Sequence, residues 1–133
     1  MTTLNIIGPG RVGLTLGALL VRKGLCALQD VLSAEFVTAE AAVAFIGSGR
    51  AVRKLADMRP AALWLLTPPD GAIASMASAL AATGNVRAGD VLFHCSGAQA
   101  ASILSPLVAC GAKLASVHPL KSFAEPERAL ESF

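Results

Sequence analysis

Three glycines near the N-terminus have the spacing of a phosphate-binding turn. The segment reads Gly8-Pro9-Gly10-Arg11-Val12-Gly13, which fits the pattern G-x-G-x-x-G. The first glycine of this pattern permits a tight turn, the second lets the backbone approach a pyrophosphate, and the third lets a helix pack close to a strand. We therefore predict that these six residues bind the diphosphate of a dinucleotide.

The segments on either side of these glycines favour this interpretation. Leu4 to Ile7 is an apolar run typical of a strand, and Val12 to Lys23 has helical spacing. A helix N-terminus offers unpaired N–H groups and partial positive charge to phosphates, and Arg11 adds charge there. The alternative is a glycine-rich connection in the same type of domain that binds nothing. A Walker-type loop is excluded because no G-K-[ST] follows.

The end of the second predicted strand bears on the choice between NAD and NADP. NAD-binding domains place an acidic residue about 20 positions after the glycines, where it binds the ribose 2′-hydroxyl. Here Ser33 stands at that place. It ends the second predicted strand, which begins at Cys26 and contains the polar residues Gln29 and Asp30. A serine can hydrogen-bond a 2′-phosphate, so NADP is favoured. NAD stays open, because Glu35 would serve it if the strand ended later.

Two further strand ends carry candidates for catalysis. Ser96 follows a strand predicted at Val91 to His94, and His118 follows one predicted from Lys113 to Val117. Ser96 would contact the nicotinamide end of the cofactor with its hydroxyl, and His118 would donate a proton to a carbonyl substrate. Structural roles are equally open, with Ser96 as a helix N-cap and His118 bonded to backbone.

All these candidates follow short apolar runs that alternate with helical stretches. Ala61 to Leu66 is the clearest strand, and it ends at Thr67 and Pro68, two further predicted cofactor contacts. Asp70 is then expected to be the N-cap of the next helix. The alternation predicts a Rossmann-type α/β fold, a doubly wound and mainly parallel sheet of about six strands flanked by helices. Ligands bind such sheets outside the carboxyl ends of the strands.

The composition narrows the class of protein. The chain has 133 residues, 54% hydrophobic and 15% charged, with a net charge of +2. These values predict one domain and exclude a disordered chain. With 5% aromatic residues and scattered basic ones, we expect no nucleic-acid partner. No apolar run is long enough to span a membrane, and three cysteines without a C-x-x-C pair predict no metal site and a cytoplasmic location.

Four motifs together resemble a known family. They are G-x-G-R-V-G from Gly8, P-x-D from Pro68, H-x-S-G-A from His94 and H-P-L-x-S-F from His118. The chain resembles the Rossmann-like N-terminal domain of NADP-dependent oxidoreductases that carry a helical C-terminal domain of unknown function. That family is similar to pyrroline-5-carboxylate reductases, to deazaflavin-dependent NADP oxidoreductases and to the wider 6-phosphogluconate dehydrogenase superfamily.

The resemblance implies the cofactor domain of an oxidoreductase for a small carbonyl or imine substrate, homodimeric at full length. Residues 1–120 are expected to form the dinucleotide-binding domain and residues 121–133 to begin a linker to the helical domain. Because that domain would build part of the substrate pocket, we expect the chain alone to be inactive. Family members often have an arginine just after the second strand, where this chain has Ala34. The alternative function is a non-catalytic dinucleotide-binding module that senses or scaffolds.

Overall fold

Strands and helices alternate along the chain in the computed structural model, which describes residues 2–68, 70–94 and 103–116. The strands are β1 (Thr3–Ile7), β2 (Ala27–Leu32), β3 (Arg50–Val52), β4 (Leu63–Leu66), β5 (Val91–His94) and β6 (Lys113–Ser116). The α-helices are α1 (Arg11–Arg22), α2 (Phe36–Ile46), α3 (Ile73–Thr83) and α4 (Ser105–Val108). Short 3-10 turns cover Leu55–Asp57 and Asp70–Ala72.

The six strands form one sheet in the order β3-β2-β1-β4-β5-β6, and every neighbouring pair is parallel. This arrangement confirms the predicted doubly wound sheet. The chain moves outward in one direction from β1 to β3 and in the other direction from β4 to β6. The direction reverses between β1 and β4, and ligands bind at such a reversal in open α/β sheets.

Two hydrophobic clusters cover the two faces of the sheet. Trp64 and Leu66 of β4 belong to one cluster and Leu65 belongs to the other, as expected when successive strand residues point to opposite faces. The cluster with Leu65 packs under residues of α1 and α2, and the cluster with Trp64 packs under α3 and α4. Burial on both faces explains why the strands are continuous apolar runs.

The start of α3 differs from the prediction. The α-helix begins at Ile73 with Ala72 as its N-cap residue, and Asp70 begins the 3-10 turn before it. The prediction that Asp70 caps this helix is therefore wrong, because the chain makes one tighter turn before α-helical hydrogen bonding begins. At its other end α3 is closed by Gly84, whose φ of +74° favours glycine.

Candidate functional site

Gly8 lies where the ends of three strands meet. Its φ is +71°, a conformation that favours glycine. Its N–H donates to the carbonyl of Leu32 at the end of β2 (2.8 Å), and its own carbonyl accepts from the hydroxyl of Thr67 after β4 (2.7 Å). A Cβ at Gly8 would lie 2.6 Å from the backbone nitrogen of Pro68. The turn therefore has no room for any side chain at this position.

The other two glycines of the turn differ in how much space surrounds them. A Cβ at Gly13 would overlap the hydroxyl of Thr67, so this glycine permits the close approach of α1 to the end of β4. At Gly10 a Cβ would meet no described atom within 4 Å, and the backbone is unstrained at a φ of −70°. The chain thus leaves open space at the glycine whose predicted role is to admit a pyrophosphate.

The first turn of α1 begins directly after the residue beside this open space. Gly10 is the N-cap residue, and the first helical hydrogen bond runs from the N–H of Leu14 to the carbonyl of Gly10 (2.8 Å). The amides of Arg11, Val12 and Gly13 precede that bond, where a helix has N–H groups without intrahelical acceptors. The first turn contains no acidic residue. Such a helix terminus attracts an anion.

A cavity of about 850 Å³ opens at the carboxyl edge of the sheet beside this turn. It is lined by the glycine turn, by the ends of β1, β2 and β4, by the start of the segment after β3, and by one side of α3. Its volume is in the range of small-molecule sites. Six predicted cofactor-binding residues line it: Gly8, Pro9, Gly10, Ser33, Thr67 and Pro68. The structure thus brings the glycine turn together with two other strand ends.

The remaining predicted residues fall into two groups. Arg11 and Gly13 belong to α1 and are not among the lining residues, and of Val12 only the backbone is described. Ser96 and His118, the two catalytic candidates, lie outside the described residues. Their roles therefore stay predictions.

Sequence reasoning missed two cations in the cavity wall, Arg53 and Lys54. They lie between the end of β3 at Val52 and the 3-10 turn that begins at Leu55. The signal was present in the sequence, because both residues directly follow a strand. In a parallel sheet all carboxyl ends lie at one edge, so the residues after β3 belong beside those after β1 and β2.

Arg53 is held against an aromatic ring. Its guanidinium carbon lies 3.8 Å from the centroid of the Phe36 ring, at the start of α2. A cation over an aromatic face is attracted by the ring quadrupole. Glu35, the acidic residue that kept NAD open, precedes Phe36 and does not line the cavity. None of the described residues that line the cavity carries a carboxylate.

The buried carboxylate of Asp30 binds the far end of the segment that carries Arg53 and Lys54. Asp30 of β2 is fully buried and accepts from the guanidinium of Arg59 (2.9 Å), from the backbone N–H of Arg59 (2.8 Å) and from Nε of Arg50 (3.1 Å). Burial acts to raise the pKa of Asp30, but these hydrogen bonds outweigh it and hold the pKa below its ordinary value. The amide of Asn5 also donates to the carbonyl of Arg59 (2.6 Å).

The described residues were also compared with the requirements of a metal site, a reactive thiol and a membrane span. No cluster of three or more potential metal ligands occurs in residues 2–68, 70–94 and 103–116. Cys26 and Cys110 are free thiols, and burial raises the pKa of Cys26. Within the same part of the chain, no helix is both long enough and apolar enough to cross a bilayer.

An all-parallel sheet with a glycine turn and a cavity at its reversal point defines the class of dinucleotide-binding α/β domains. Residues 2–119 match the family model of the Rossmann-like domain, so the chain belongs to that family. The sequence matches no curated protein significantly.

Several solved oxidoreductases share the fold. Arogenate dehydrogenase from Synechocystis has a TM-score of 0.73 and 20% identity, over 92% of this chain and 42% of that one. A variant imine reductase from Myxococcus stipitatus, solved with NAD+, has a TM-score of 0.72 and 16% identity over the same shares of the two chains. A proposed NADP oxidoreductase from Bacteroides fragilis has a TM-score of 0.63 and 16% identity, over 98% of this chain and 63% of that one.

At these identities the likeness is one of fold. The chain spans less than half the length of the first two structures. The Rossmann-like part of the resemblance is confirmed, while the narrower family and the helical C-terminal domain stay predictions.

Proposed function

We propose that this chain is the NADP-binding domain of an oxidoreductase that acts on a small carbonyl or imine substrate. The observation that carries the proposal is the open space beside Gly10. It lies directly before the amides of α1 and inside a cavity large enough for much of a dinucleotide. The residues present therefore fit the diphosphate of a dinucleotide.

The diphosphate fits at the glycine turn for two physical reasons. The space beside Gly10 admits a group close to the backbone, and the N-terminus of α1 supplies N–H donors and partial positive charge. Because the first turn of α1 contains no acidic residue, no carboxylate there offsets this partial positive charge. In this pose Thr67 and Pro68, which also line the cavity, would contact the middle of the cofactor.

The preference for NADP follows from the wall of the cavity beside β2. Ser33 lines the cavity at the end of this strand, where NAD-specific domains carry an acidic residue. A carboxylate there would repel a 2′-phosphate, whereas a hydroxyl can donate a hydrogen bond to it.

The reaction class is supported by the structural neighbours. The solved structures with this fold include an imine reductase in complex with NAD+ and arogenate dehydrogenase. When bound, the nicotinamide cofactor would supply or accept the hydride. Ser96, two residues after the end of β5, and His118, two residues after the end of β6, are the candidates for positioning the substrate and holding its proton.

The first experiment measures binding of the cofactor to this chain. A ligand that binds only the folded state adds about 2.7 kcal/mol to the free energy of unfolding when present at 100 times its Kd. We expect NADPH to raise the unfolding temperature more than NADH at equal concentration, with adenosine as the control that lacks a diphosphate. The absence of a shift with either dinucleotide at millimolar concentration would overturn the proposal.

A further inference from the structure

We infer that Arg53 and Lys54, at the end of β3, recognise the 2′-phosphate of NADP and that Phe36 is the positioning residue for Arg53. The inference rests on the proposed function and deepens it, because it assigns cofactor choice to a strand end that the sequence pattern does not point to. Directly after β2 the chain has Ser33 and Ala34, neither of which carries a charge.

The register of the sheet places the cations next to Ser33. Leu32 is the partner of Val52 in the β2–β3 pair, so Ser33 and Arg53 are the next residues on adjacent strands. Neighbouring strands lie about 4.8 Å apart, and the ends of β1 and β3 are therefore about 10 Å apart along the cavity. An adenosine 2′-phosphate that starts from a diphosphate beside Gly10 and extends over Ser33 would bring its phosphate towards the end of β3.

The charges in this region are distributed unevenly. Arg50 and Arg59 both bond to Asp30, which offsets part of their charge. Arg53 and Lys54, in contrast, have no carboxylate partner among the described residues, and they are the only charged residues in the described lining of the cavity. An exposed guanidinium presents a planar fork of donors that matches a phosphate, and a lysine adds a point charge.

Phe36 fixes the direction of the Arg53 side chain. With the guanidinium stacked 3.8 Å from the ring centroid, one face of its plane is covered and its N–H edges remain available for hydrogen bonds. Because stacking already restricts the rotamers of Arg53, less side-chain entropy is lost when the arginine binds a phosphate. The ring therefore raises phosphate affinity only through Arg53, and it makes no charged contact itself.

The backbone that carries the cations is also held in place. Nη2 of Arg50 donates to the carbonyl of Asp57 (2.9 Å), in the 3-10 turn directly after Lys54. A few residues further on, the backbone N–H of Arg59 is bonded to the buried Asp30. The segment thus starts at β3 and is bonded back to β3 and β2 at Asp57 and Arg59, and this preorganisation favours tight and selective binding.

The test compares the Kd values of NADPH and NADH for the wild type and for Arg53→Ala, Lys54→Ala and Phe36→Leu. Loss of a charge-assisted hydrogen bond corresponds to a weakening of about 10- to 100-fold. We expect Arg53→Ala to weaken NADPH by that factor and to change NADH by less than about threefold. Lys54→Ala should act in the same direction with a smaller factor, because it removes a single point charge.

Phe36→Leu separates a positioning role from a merely structural one. We expect it to weaken NADPH in the wild-type background and to have no further effect in the Arg53→Ala background. Lys113→Ala is the matched control, because Lys113 is an exposed cation at the start of β6, at the opposite edge of the sheet. It should leave both Kd values unchanged.

A second pair of probes isolates the phosphate. Adenosine 2′,5′-bisphosphate should bind more tightly than adenosine 5′-monophosphate to the wild type, and Arg53→Ala should remove the difference. Equal Kd values of NADPH and NADH in the wild type, or equal losses for both in Arg53→Ala, would overturn the inference and leave the dinucleotide-binding function standing. Binding of neither dinucleotide to the wild type would overturn both.

Discussion

Asp30 offers a quantitative test of how the segment behind the cavity is held. The substitution Asp30→Asn keeps the shape of the side chain and removes its charge. The fully buried carboxylate of Asp30 accepts from two arginines and from one backbone N–H. In the variant, the amide nitrogen takes the place of one acceptor oxygen, so at least one of these donors faces another donor.

The magnitude follows from the exposure of the partners. Removing one partner of a buried ion pair costs 3–5 kcal/mol when both charges are buried. Here the arginine side chains are 53% and 55% exposed, so their hydration by water offsets part of the energy lost with the ion pair. We therefore expect Asp30→Asn to lower the free energy of unfolding by about 2–3 kcal/mol at pH 7.

The pH dependence has a definite sign. The pKa of Asp30 lies below its ordinary value of 3.8 in the folded protein, so the carboxylate stabilises the fold fully at neutral pH. This contribution is lost as the pH falls below about 4 towards the folded-state pKa. The difference in stability between the wild type and Asp30→Asn should consequently shrink between pH 5 and pH 3.

Urea denaturation followed by tryptophan fluorescence measures both effects. Trp64 is the one tryptophan of the chain and is fully buried, so its emission reports exposure of the core. With the slopes usual for small domains, the variant should lower the urea midpoint by about 1–2 M. Asp57→Asn, at an exposed acid in the neighbouring turn, is the control and should leave the midpoint nearly unchanged. A midpoint for Asp30→Asn equal to that of Asp57→Asn would refute the reasoning.

Three further predictions concern residues of the core and the turn. Gly13→Ala should lower the free energy of unfolding by about 1–3 kcal/mol in urea denaturation, because the new methyl group overlaps the hydroxyl of Thr67; an unchanged midpoint would contradict this. Thr15→Val should raise it by about 1 kcal/mol, because the buried hydroxyl of Thr15 has no hydrogen-bond partner in the described part of the chain; a loss of stability would show that the hydroxyl is satisfied. Iodoacetamide should label the half-buried Cys110 before Cys26, whose pKa is raised by burial, as followed by mass spectrometry; equal rates would contradict the burial of Cys26.

The sheet and the glycine turn could be predicted because their signals are local. Apart from β3, each strand is followed within a few residues by glycine, proline or a hydroxyl residue, which marks the strand end directly in the sequence. The pattern from Gly8 to Gly13 likewise needs only a strand before it and a helix after it. Both conditions are met by β1 and α1.

The rest depends on contacts between distant parts of the chain. Asp30 stands as a polar interruption in a predicted strand, and only the structure shows that Arg50 and Arg59 satisfy it across 20 and 29 positions. The placement of Arg53 beside Ser33 similarly follows from the register of β2 and β3. No local pattern encodes that register, so the sequence could place Arg53 at a strand end but could not show that Ser33 is its neighbour across the sheet.

The substitution Gly10→Val tests the central claim most directly. A side chain at this position meets no described atom within 4 Å and needs no strained backbone, so valine should lower the free energy of unfolding by no more than about 1 kcal/mol, because it is a poorer N-cap residue than glycine. The same side chain would fill the space assigned to the diphosphate. We predict that the Kd of NADPH, measured by titration, rises at least 100-fold while the urea midpoint stays nearly constant. NADPH binding by Gly10→Val with the wild-type Kd would contradict the account.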